Sequence, residues 1–236
     1  MIKKFPILRI SKEEAAFDWH YIMILSNMGI PMGLQYSITA IGSVILQRAT
    51  NTLGSSAVAA ITAGNKISMF VVCPFDAMGA TMATYGGQNV GAKKLTRIKQ
   101  GLRDCVILGG AYSVIALVFL LCFGRKLLLL FLDLDETAIL GNAYQFMIIT
   151  AAFYFLLALV NIVRFLIQGM GFSKFAILAG VCEMVARSLV SFTLVPHLGF
   201  TGVCLASPAA WIFADAFLIP AFFYVYKKLE CLFEQQ

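Results

Sequence analysis

CVILGGAYSVIALVFLLCFG, residues Cys105 to Gly124, runs for 20 residues without one Asp, Glu, Lys or Arg. The hydrocarbon core of a bilayer is about 30 Å thick and takes about 20 apolar residues of helix to cross. Nothing in this stretch resists burial in lipid. It is too long and too continuously apolar for a barrel strand, and in lipid only helices and closed barrels satisfy every backbone amide. It therefore reads as a membrane-spanning helix, and the rest of the chain follows from it.

Five more stretches have this character. Ile22 to Gln47 and Ala143 to Val163 carry no Asp, Glu, Lys or Arg, Ile67 to Gly87 carries Asp76, Phe175 to Pro196 carries Glu183 and Arg187, and Gly202 to Tyr226 carries Asp215. With flanking residues the predicted helices cover 22–50, 57–87, 105–124, 143–168, 175–196 and 202–226. The expectation is an all-α integral membrane protein with a six-helix lobe over 22–228, a cytoplasmic arm over 1–21 and a cytoplasmic tail over 229–236. The whole composition agrees. Of 236 residues 60% are hydrophobic and 13% charged, with a mean hydropathy of +0.86, about half the charge of a soluble domain.

The net charge of +6 does not point to nucleic acid, because its placement is that of a membrane protein. If the helices alternate in direction, one side collects Lys3, Lys4, Arg9 and Lys12, then Lys93, Lys94, Arg97, Lys99 and Arg103, then Arg164 and Lys174, then Lys227 and Lys228. The other side holds Arg48, Arg125 and Lys126 and an acidic loop with Asp133, Asp135 and Glu136. Basic loops stay cytoplasmic, so both ends are expected inside, in a multi-pass protein of the plasma (bacterial inner) membrane. The six cysteines form no C-x-x-C pair and lie mostly in apolar runs, which predicts free thiols and no metal site.

The connections carry further expectations. The short neutral loop Asn51–Ser56 makes the first two helices an antiparallel pair. Gly79, Ala83 and Gly87, spaced by four, give helix two a small-residue face for close packing, and Pro74 inside it predicts a kink. Arg125 to Leu132, RKLLLLFL, is too short to span and reads as an interfacial helix. A turn ends helix five after Pro196.

Several of these segments resemble the multidrug and toxic compound extrusion (MATE) family. They are Gly29–Gln35, GIPMGLQ; Leu53–Ala59, LGSSAVA; and above all Gly87–Ala92, GQNVGA, followed by Arg97. Gly199-Phe-Thr-Gly202 and Ala210-Trp211 resemble that family's last two helices. The similarity runs from about Asp18 to Lys228. The resemblance implies a lobe of a twelve-helix transporter, namely helices seven to twelve preceded by the interlobe linker, with an N-terminal six-helix lobe missing. The implied function is a secondary antiporter exporting small organic cations by alternating access, with H⁺ or Na⁺ as coupling ion and no other cofactor. A lipid-linked saccharide flippase shares the broader fold and is the alternative. A membrane-embedded enzyme is disfavoured, since H-E-x-x-H, G-x-S-x-G and C-x-x-C are all missing from the sequence.

Ionisable groups within a span are functional candidates by default. Glu183 and Arg187 stand four apart on one helical face, in the order that favours an ion pair; they form either a permanent bridge or a pair that opens during transport. Asp76, two residues after Pro74, is either a site of proton uptake and release or a carboxyl held by a neighbouring helix. Asp215, four residues after Trp211, suits packing or an inner hydrogen bond. These four are the candidates for ion coupling. Gln35, Tyr36, Asn65, Lys66, Tyr144, Gln145 and Asn161 are the candidates for lining a cavity, with snorkelling to the interface open for Lys66 and interhelical hydrogen bonding open for the uncharged ones. Gln88, Asn89, Gly91 and Ala92 are expected to form a helix-ending turn, with Gly91 permitting the reversal, ahead of a basic segment lying on headgroups.

Overall fold

The structure, a computed structural model, describes residues 18–132 and 136–234. Most of the expected N-terminal arm, the acidic pair Asp133 and Asp135, and the end of the tail lie outside the described residues. Within them the chain forms seven helices: α1 (Trp19–Asn51), α2 (Ser55–Gly91), α3 (Leu95–Leu128), α4 (Thr137–Ala152), α5 (Tyr154–Gly169), α6 (Ser173–Leu198) and α7 (Phe200–Glu234). Five are long and apolar enough to cross a membrane; α4 and α5 make a sixth span, bent by 52° where they meet. The expected 143–168 helix is thus a broken span. Its break at Phe153 involves no proline or glycine.

The helices outrun their apolar cores for readable reasons. Asp18 caps α1, accepting a hydrogen bond from the His20 amide at 2.8 Å. That helix runs on through Pro31 to Asn51. The predicted interfacial helix does not exist as a separate element. Arg125 to Leu128 is the last turn of α3, where the two cations Arg125 and Lys126 face the negative end of the helix dipole. The basic segment after Lys94 is likewise not separate: it forms the first turns of α3. The turn expected after Pro196 is one residue, Gly199, whose φ of 55° lets α7 start at Phe200.

Two groups of helices pack side by side. In one, α2 lies against α3, α4 and α5; in the other, α6 lies between α1 and α7; α5 and α4 join the two through α7 and α6. The expected antiparallel partnership of α1 and α2 is not a packed one. Their link is only Thr52 to Gly54, with Gly54 at φ 97°, yet the helices touch sparsely and α1 rests almost wholly on α6. At the centre, Phe75, beside Pro74, packs edge-on against Tyr112 and Tyr154, and Tyr154 continues to Trp211. The α4–α5 break is seated in this aromatic cluster.

The small-residue face of α2 works as its spacing suggests. A side chain on Gly79 would strike Phe165 at 2.7 Å and one on Gly87 would stand 3.1 Å from the Gly169 carbonyl; Gly169 of α5 in turn lies directly on the Ala83 backbone. The GQNVGA segment behaves differently from expectation. Gln88, Asn89 and Gly91 are helical, and the reversal falls at Lys93, with φ 55°. Asn89 is buried and donates its side-chain amide to the Tyr85 carbonyl, while its own carbonyl accepts from the Lys94 amide at 2.9 Å. The turn is therefore closed by carbonyls of the last helical residues, and Gly91 supplies no special backbone angle.

Candidate functional site

Three groups of polar residues sit inside the bundle. The first is a charge cluster joining α5, α6 and α7. Glu183 is 3% exposed and is held by two arginines: Arg164 of α5 donates to Oε1, and Arg187, one helical turn on, stands 3.5 Å from Oε2. Arg187 also donates to the Thr39 carbonyl of α1 at 3.3 Å. The expected Glu183–Arg187 pair is thus the weaker arm of a triad. Arg164, counted among the loop cations from the sequence, is a buried member of the core. Asp215 lies nearby on α7, buried, within electrostatic reach of Arg164 and Glu183, and with neither oxygen hydrogen-bonded among the described residues.

The second group tethers α2 and α1 to α5. The Asn161 side chain donates to Asp76 Oδ1 at 3.1 Å. Asn161 is buried, whereas Asp76 is exposed on the free face of α2. A carboxyl at that depth is costly against lipid, so this face meets water or protein. One turn beyond Arg164, Gln168 donates to Gln35 of α1 at 2.5 Å. Asn161 and Gln35 thus make interhelical hydrogen bonds. Tyr144 reaches the Leu121 carbonyl and carries Arg125 over its ring, and Gln145 donates to Thr201; both hold helices together at that end. Lys66 extends over the Phe131 ring at 5.3 Å, toward the end of the bundle. Tyr36 is 57% exposed on α1.

The third group lines a crevice that opens at one end where α1 and α2 part. Two adjoining cavities, of about 180 Å³ and 490 Å³, share Asn65, Phe146, Arg187 and Ser207. Ser43, Gln47 and Thr50 of α1 add to the smaller; Ser68, Tyr154 and Trp211 add to the larger. Of the residues read as cavity candidates from the sequence, Asn65 is the one found in these two walls. Arg187 was read only as an ion-pair partner. Its place in the wall depends on how α6 packs against helices distant in sequence, which no local pattern announces.

Six spans folded around buried ion pairs and a side crevice define a multi-pass helical membrane protein. The MatE family model matches residues 31–193, and the chain belongs to that family of transporters. Two relatives from Bacillus subtilis (strain 168) are similar over most of the chain. The probable multidrug resistance protein YoeA is 26% identical over 89% of it, and the probable multidrug resistance protein YpnP 24% identical over 84%. These matches take up 46% and 44% of the relatives, so the chain spans about half the length of the curated relatives it matches. Among solved structures, an outward-facing multidrug resistance MATE transporter of the MOP superfamily superposes with a TM-score of 0.85. It is 16% identical, and the match covers 98% of this chain and 51% of that one. The fold is thus that of half a MATE transporter.

Proposed function

We propose that the chain is the C-terminal six-helix lobe of a secondary antiporter that exports organic cations, including drugs, in exchange for H⁺ or Na⁺ by alternating access. The observation that carries this reading is Asp76. Asn65, Met69, Val72 and Asp76 recur at helical spacing, so they share one stripe of α2. The first three line the crevice, and Asp76 extends the stripe by about 6 Å beyond Val72 at 1.5 Å per residue. An exposed intramembrane carboxyl at the end of a cavity wall is suited to taking up a proton, a sodium ion or a cationic substrate. Asn161, at 3.1 Å, holds the carboxyl in place and transmits its state to α5. Glu183 and Asp215 lie deeper and act through the packing of α5, α6 and α7, while Arg187 reaches from Glu183 to the crevice wall. An N-terminal lobe, in the same chain or another, completes the path in this reading, and the membrane is the plasma membrane.

The test is efflux of a cationic dye from cells carrying the complete transporter. Asp76→Asn is expected to abolish the dependence of efflux on the proton or sodium gradient at unchanged expression. Unchanged gradient-driven efflux in that variant would remove Asp76 from the coupling role.

A further inference from the structure

The walls of the crevice have a chemistry of their own. Among the described residues lining either cavity, Arg187 is the one that carries a charge, and it lines both. The remaining polar groups are hydroxyls and amides: Ser43, Gln47, Thr50, Asn65, Ser68, Ser207 and their like. Among the described residues no carboxylate lines either wall. The acids of the interior are elsewhere: Glu183 is behind Arg187 and shared with Arg164, Asp215 is on α7 out of the lining, and Asp76 lies beyond the cavity on α2. Arg187 is 9% exposed. A guanidinium carries more N–H donors than its two long contacts, 3.3 Å to Thr39 and 3.5 Å to Glu183, employ. The larger cavity falls within the about 300–1,000 Å³ of small-molecule sites, and beside the arginine its lining includes the large apolar side chains of Phe146, Leu157 and Trp211.

We propose that this crevice binds the anionic end of an amphiphile, a carboxylate or phosphate held by Arg187 with Asn65 and Ser207, while the apolar body lies along Phe146, Leu157 and Trp211. A planar bidentate donor is the side chain suited to such groups. The site goes beyond the cation reading and does not require it: a substrate with a cationic group at Asp76 would need an anionic or neutral group at this end. The same chemistry could be met by a free amphiphilic carboxylate or by the phosphate of a membrane lipid.

The test uses the full-length protein in phosphatidylcholine nanodiscs, with Trp211 kept as its sole tryptophan so that its fluorescence reports on the larger cavity. The probes are a matched pair of naphthalene derivatives, one ending in a carboxylate and one in a trimethylammonium group. Saturable quenching by the carboxylate and none by the ammonium is expected. Asn65→Asp, a substitution at an exposed position of the wall, should weaken the carboxylate probe by about tenfold or more, as a like charge does in a binding site. Arg187→Lys, which keeps the charge and loses the fork, should weaken it less. Displacement of the probe by phosphatidylglycerol added to the nanodisc would support the site and assign it to a lipid; saturable binding that phosphatidylglycerol leaves unaltered would support it as a site for a free ligand. Equal or tighter binding of the ammonium probe, no saturable quenching by the carboxylate, or carboxylate binding untouched by Asn65→Asp would overturn the proposal. Each readout is independent of efflux, so failure of the Asp76 experiment does not decide this one.

Discussion

Glu183 balances two guanidiniums, and that changes what its removal does. Glu183→Gln leaves Arg164 and Arg187 facing each other in a buried site, and breaking a buried pair costs about 3–5 kcal/mol. A pair seen in isolation predicts that Glu183→Gln with Arg187→Gln restores stability. The triad predicts otherwise, since Arg164 stays unpaired. Restoration should come from Glu183→Gln with Arg164→Gln, because Arg187 borders the crevice and keeps access to polar groups there. Melting of the purified protein in detergent checks this: the Arg164 double variant should melt well above the Arg187 double variant. The sequence made half of the triad visible. Spacing of four on one helix is a local pattern, so Glu183–Arg187 could be read from it. Arg164 sits just after the apolar run ending at Val163, where a cation ordinarily means a loop. It stays inside because Glu183, 19 residues on, accepts its charge, and Gln168 is retained in the same way by Gln35.

Elements meet most closely where α2 crosses α5. Gly169 has no room for a side chain against the Ala83 backbone, and backbone cannot give way as a side chain end can. Gly169→Ala is therefore expected to destabilise the lobe by about 1–3 kcal/mol, the range for overpacking. Gly91→Ala is the contrasting case. Its Cβ would meet nothing within 4 Å and its backbone is helical, so alanine should be neutral or stabilising by about 0.5–1 kcal/mol, despite lying in the GQNVGA segment. Detergent-extracted yield and melting of the two variants, measured together, separate these outcomes. At this scale the six spans and the small-residue face were legible, since both rest on periodicity and run length. The break at Phe153 was not. No residue there is a helix breaker, and the bend is seated by the aromatic cluster of Phe75, Tyr154 and Trp211, drawn from three helices.

For the molecule as a whole, the helix ends sort the charges. Lys93, Lys99 and Lys228 gather at one end of the bundle, over the rings of Phe233, Tyr226 and Phe172, while Arg125 and Lys66 mark the other. The basic end is expected to face the cytoplasm. In intact cells, with the native cysteines replaced, a membrane-impermeant thiol reagent should label Glu136→Cys and leave Lys99→Cys untouched; labelling of Lys99→Cys alone would invert the orientation. That asymmetry was readable from the sequence apart from Arg164, whereas the parting of α1 from α2 was not, because it depends on which distant helix α1 prefers. That preference has a consequence for biogenesis. A ribosome finishes α1 before α2, α3, α4 and α5, and only then makes α6, the helix on which α1 rests. At about 5–20 residues per second, α1 waits for seconds to tens of seconds without α6, and for part of that time its Gln35 side chain also lacks Gln168 of α5. During that interval it needs the insertion machinery or a membrane chaperone as a temporary neighbour. A photo-crosslinker at Gly42, which packs on Met184 in the finished fold, should capture such a helper in nascent chains arrested after α5 and should lose it once α6 has entered the bilayer.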